Sequence, residues 1–130
     1  MGQTPYARLI FGFVVGTDDE PPAFLAVYDN SIDEYILAKA GLEDSTDWKL
    51  RNRVVGECVA DVEHIGYHEM PNFVLCVRGL CHSVEWSETK LITPELLRVD
   101  PAKVAEFRRW CDENGTPWQE PGWLMSAYLG

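Results

Sequence analysis

The chain of 130 residues contains neither a Gly-x-Gly-x-x-Gly nor a Gly-x4-Gly-Lys-Ser/Thr run. The two common backbone cradles for phosphate are therefore missing, and with them the simplest route to nucleotide chemistry. Positive charge is scarce as well. Eleven Lys and Arg stand against 21 Asp and Glu, a net charge of −10. That balance repels phosphate backbones and anionic headgroups, so it argues against nucleic acid and membrane surfaces as partners and fits a basic protein partner.

Long apolar runs are also lacking. The stretch "LIFGFVVG" at 9–16 is about half of what a bilayer span requires, and acidic "TDDE" follows it at once with no small-residue cleavage site. Position six is Tyr6, so a myristoylation signal is incomplete. Four cysteines show no spacing of a secreted disulfide framework, which places the chain in a reducing cytoplasm. Three histidines share no signature with any nucleophile, so the sequence names no catalytic residue and no cofactor.

What is present is an ordinary globular balance, 46% apolar and 25% charged residues. Such a chain buries roughly two thirds of its unfolded surface as a single domain, here taken as 1–130. Tyr6 to Val15 reads as a strand buried on both faces. In "SIDEYILAKAG", Ser31 and Glu34 form a capping pair, Ile32, Tyr35 and Ile36 share a face, and Gly41 marks the stop of a short helix. "ECVADVEH" alternates, with Cys58, Ala60 and Val62 facing inward and Glu57, Asp61 and Glu63 outward.

"NFVLCV" and "HSVEWSE" read as two further strands joined by a tight turn at Arg78-Gly79, which would set Cys76 and Cys81 opposite each other. Asp100, Pro101 and the stripe Val104, Phe107, Trp110 and Cys111 mark a second helix ending at Asn114-Gly115. "WLMSAYL" closes the chain as a strand, with Trp123 expected against that helix. The order β-α-β-β-β-α-β predicts an α+β domain in which two helices cover one face of a mainly antiparallel five-stranded sheet.

Two clusters invite chemistry and argue against it. Cys76, Cys81, His64, His68 and His82 are zinc-ligand types, but their spacing is not that of a knuckle and Cys76 lies in an apolar strand, so no metal site is expected. "WKLRNR", with Trp48, Lys49, Arg51 and Arg53, has the composition of a small single-strand-binding surface. Three charges are few in so acidic a chain, and a solvated turn or strand edge accounts for them. The acidic strand is a better candidate. Alternate strand residues lie about 6.6–6.8 Å apart along one face, so Glu57, Asp61 and Glu63 offer a basic partner a row of charge resembling successive phosphates.

The ending Cys111-x3-Gly115-x2-Trp118-x2-Pro121-x-Trp123-x4-Tyr128-x-Gly130, with the opening "YARLIFGFVVG", resembles the ends of small uncharacterised proteins carried by bacteriophages and other mobile elements such as integron cassettes. The resemblance implies a bacterial cytoplasmic setting and an accessory role, and it assigns no activity to any residue. The sequence thus leads to a small acidic accessory protein that acts by protein–protein binding through Glu57, Asp61, Glu63 and Trp118. The competing reading is a small-molecule binder or enzyme whose pocket, between sheet and helices, is lined by Trp86 and Trp118.

Overall fold

The structure is a computed structural model that describes residues 6–67 and 70–128. His68 and the end of the expected closing strand, Leu129, lie outside the described residues. Four strands form one antiparallel sheet, β1 (Tyr6–Thr17), β2 (Ala60–Tyr67), β3 (Met70–Glu85) and β4 (Gly122–Tyr128), in the order β2-β3-β1-β4. Three α-helices accompany it, α1 (Ile32–Lys39), α2 (Trp48–Glu57) and α3 (Pro101–Asn114), together with a 3-10 turn at Ala23–Tyr28. The chain is α+β, as the sequence predicts, and among the described residues it has four strands rather than five and an additional helix.

The expected helices form for the expected reasons. Ser31 Oγ accepts from Glu34 N at 3.3 Å, and Asp100 Oδ1 accepts from Ala102 N at 2.9 Å, so each side chain satisfies an amide that the first helical turn leaves open. Pro101 supplies the first residue of α3, and Gly115 ends it at φ 64, the left-handed position that closes a helix most easily when no Cβ is present.

Two expectations are corrected. The segment "WKLRNR" is neither a turn nor a strand edge but the start of α2, capped by Asp47, whose Oδ1 accepts from Leu50 N. Arg51 sits where an apolar anchor is normally sought. Its Nη1 donates to Leu42 O at 2.8 Å and to Glu43 O and Ser45 O, each at 3.3 Å, while its guanidinium lies 5.1 Å from the centroid of Trp48. A partly buried guanidinium that caps three carbonyls ties the α1–α2 loop to α2 and interrupts the apolar periodicity by which a helix is usually read.

The second correction concerns Arg78-Gly79, where no hairpin turn occurs. β3 runs straight through it because both halves find the same partner, β1, instead of each other. Gly12 pairs with Cys76 and Ile10 with Cys81, so the residues between Cys76 and Cys81 bulge out opposite a two-residue step of β1, with Gly79 at φ +88. A bulge of that size bends the strand and steepens its twist.

The bend gives the sheet two packed faces. On one, Phe11, Phe13, Val62, Phe73, Leu75 and Val77 meet the apolar sides of all three helices, with Phe107 and Cys111 of α3 fully buried. On the other, Ile10, Ile65, Val74 and Cys76 are buried in a smaller cluster against Cys81 and Leu124, with no helix above them. Curling of the sheet covers this second face. The outer strands β2 and β4 approach with Cα atoms within 8 Å, and Arg8 of β1 reaches Glu63 of β2 although β3 lies between those strands.

Gly12 is the tightest point of this arrangement. A Cβ there would run into Leu75 O and lie 2.7 Å from Cys76 Cα, backbone that can yield only by moving β3. Gly12→Ala should therefore destabilise the fold by about 1–3 kcal/mol, the usual range for overpacking a core. Chemical denaturation of the purified variant measures this, and an unchanged midpoint would show that β1 and β3 are not in such close contact.

Candidate binding surface

The acidic residues singled out from the sequence do not form one row. Glu57 ends α2, whereas Asp61 and Glu63 alternate along one face of β2, so helix geometry removes Glu57 from their line. Both strand carboxylates have partners within the fold. Asp61 Oδ1 lies 3.5 Å from Arg78 Nη2 and accepts from Val62 N at 2.9 Å, while Glu63 Oε2 lies 3.1 Å from Arg8 Nη2.

Arg78 is itself stitched to β2, donating from Nε to Cys58 O at 3.0 Å and from Nη2 to Ala60 O at 3.2 Å. Burial pushes the Asp61 carboxyl up to about 6, outweighing the pull of Arg78 in the opposite direction, and the charge of Glu63 adds to the rise. For Arg8 the balance is reversed. Burial alone would lower its basicity, but the hydrogen bonds to Cys81 and Glu63 hold it above its ordinary value. These groups brace the curled sheet. Together with Asp29 and Asp33, at the entry to α1, Asp61 and Glu63 also line an acidic hollow of about 420 Å³.

Trp118 is half-buried and packs against the core. Its ring lies 5.7 Å from Phe13 and 5.6 Å from Phe107, with the Arg108 guanidinium 5.3 Å from its centroid. Trp118 thus takes the place against α3 that the sequence suggests for Trp123. Trp123 instead packs edge-on to Phe11 at 5.4 Å and beside His82 at 5.5 Å, and its Nε1 donates to Leu97 O at 2.9 Å. The rings of Phe13, Phe107 and Trp118 fill the space between sheet and α3 in which an aromatic-lined pocket was the competing expectation.

Of the zinc-type residues, His64 and His82 are engaged in other contacts. His64 packs on Phe73 at 4.6 Å, His82 Nε2 lies 3.2 Å from Leu96 O, and among the described residues no three His, Cys, Asp or Glu side chains converge to hold a metal ion.

An apolar surface that sequence reasoning missed lies at the far end of the helix-covered face. The segment 86–99 crosses the sheet and is tethered by the bonds from His82 to Leu96 O and from Trp123 to Leu97 O. Before those tethers it stands away from the strands and leaves an open groove of about 320 Å³. Leu9, Val84 and Met125 form the sheet side of this groove, and Thr89, Lys90 and Ile92 form the other. Met125 is 80% exposed, and Trp86 and Leu91 in the crossing segment are 71% and 82% exposed. The signal in the sequence was weak: Met125 and Trp86 each sit in a strand-like alternation that reads as core.

Because the Asp61 carboxyl is raised from 3.8 to about 6 in the fold, the folded state disfavours its charge. Stability owed to this group is full at low pH and is lost as pH rises from about 4 through about 6. Asn cannot ionise. The melting temperature of Asp61→Asn should therefore gain on that of the native chain across this interval and then run parallel to it. A difference that is constant from pH 4 to 7 would contradict the assignment.

No family model, curated protein or solved structure was found to match this chain.

Proposed function

We propose that this chain is a small acidic binding module that engages a protein partner through the uncovered end of its sheet. The observation that carries this reading is the exposure of Trp86, Leu91 and Met125 on and beside one apolar groove. Single exposed apolar residues are ordinary, but large ones gathered around a groove mark interaction sites. Tryptophan in particular supplies binding energy out of proportion to its number in interfaces.

The net charge of −10 and the acidic hollow at Asp29, Asp33, Asp61 and Glu63 favour a partner that adds basic residues to an apolar anchor. In this reading, the acidic positions contribute to association rate and orientation, and the groove contributes the affinity. The small-molecule reading survives only in altered form, since about 320 Å³ is at the lower limit of known ligand pockets. It has moved from the space between sheet and helices to this open groove.

A photo-crosslinking residue placed at Leu91 or Met125 should give a discrete protein adduct in a bacterial lysate, while the same residue at Glu113, on exposed α3, should not. Met125→Asp should weaken the captured partner at least about tenfold, the equivalent of about 1.4 kcal/mol, without shifting the melting temperature by more than a surface change does. Adducts of equal intensity at all three positions would refute the site. A melting temperature that rises only with small apolar compounds, and no adduct, would favour the small-molecule reading.

A further inference from the structure

Cys76 and Cys81 stand on the curled face of the sheet, at the two ends of the β3 bulge. Their partners on β1, Gly12 and Ile10, are two residues apart, a step of about 6.6–6.8 Å along a strand. Paired residues of an antiparallel ladder point to the same side, and both sulfurs belong to the small cluster with Ile10, Ile65 and Val74. The bulge therefore sets two cysteines that lie five positions apart in the sequence opposite partners only two apart, in one cluster on one face, which is near the upper end of the Cα separations, about 6.8 Å, that a disulfide spans.

The two thiols are not equivalent. Cys76 is buried, and that burial holds its thiol above the usual range. Cys81 is only partly buried, and Arg8 Nη2 donates to its sulfur at 3.7 Å. Arg8 is fixed on its other side by Glu63, so the cation is held beside Cys81 by the same ion pair that braces the curl. The remaining cysteines, Cys58 and Cys111, lie in the helix-covered cluster.

We propose that Cys81 and Cys76 form a thiol–disulfide couple that takes a low-molecular-weight disulfide of the glutathione type as its oxidant. The Cys81 thiolate attacks one sulfur of the small disulfide, forming a mixed disulfide and releasing one small thiolate, which takes up the proton that Cys81 gave. Cys76 then loses its proton and attacks the Cys81 sulfur, forming the Cys76–Cys81 bond and expelling the second small thiolate, which is protonated in turn. Two protein thiols are oxidised, and one small disulfide is reduced to two thiols. Cys81 acts first because it is the accessible member, and Cys76 resolves because the bulge presents its sulfur on the same face. Oxidation pins the bend of β3 across the step from Gly12 to Ile10.

The test is equilibration of the folded full chain in oxidised and reduced glutathione, followed by alkylation of the remaining thiols and peptide mapping by mass spectrometry. Two of the four thiols should be lost together, with a Cys76–Cys81 cross-link recovered. Cys81→Ser should abolish both the cross-link and glutathione uptake at this face, and Cys58→Ser should leave them unchanged. Glutathione retained on Cys81 with no cross-link would overturn the proposal. So would a cross-link that includes Cys58 or Cys111, or one that forms only in denaturant. Mapping of the unsubstituted chain decides the question even where a variant fails to fold.

Discussion

The fold depends on β1 lying between β3 and β4 while its own middle, at Gly12, presses against the backbone of β3. No larger residue fits there. This close approach lets a 16-residue strand bend around its neighbour and keep pairing with it on both sides of the bend. The bend in turn curls the sheet until its outer strands meet, so one face packs on helices and the other on itself. The ion pairs of Arg8 with Glu63 and Arg78 with Asp61 lie on that second face, and each is partly screened from water. Charge that a flat sheet would offer to solvent becomes part of the scaffold.

Much of this was legible in the residues, and the failures have common physical causes. The caps of α1 and α3 are local, depending on side chains that bond amides two or three positions away, and they were read correctly. α2 is hard to read because, beside Val54 and Val55, which pack on the core, its inner side carries Arg51, whose guanidinium caps carbonyls instead of extending an apolar stripe. Arg78-Gly79 satisfies turn chemistry, so the local pattern alone reads the β3 bulge as a hairpin. What rules the hairpin out is the pairing of both flanks with a strand some 60 to 70 residues away in the chain, and no local pattern records that. The same curl explains why Asp61 and Glu63, correctly placed on one face of a strand, engage arginines rather than standing in an exposed row.

The aromatic tail has a related explanation. Trp118 and Trp123 are not displayed; one fills the gap between β1 and α3, and the other fastens the 86–99 segment to the sheet. That fastening ends at Leu96 and Leu97, so the residues before it leave Met125 exposed and Leu9 and Val84 half-buried along the groove. The apolar end of the sheet is thus a consequence of where the crossing segment is tethered. Its exposed Trp86 and Leu91 lie on the free side of that tether.

Backbone amide exchange, followed residue by residue, tests the central claim that β1 locks a sheet packed on both faces. The account predicts that Ile10, Phe13 and Val14 exchange as slowly as Val74 to Val77, through one global opening, while residues 86–92 exchange freely. Protection confined to the helix-facing cluster, with the amides of β1 exchanging at the rate of exposed loops, would contradict it.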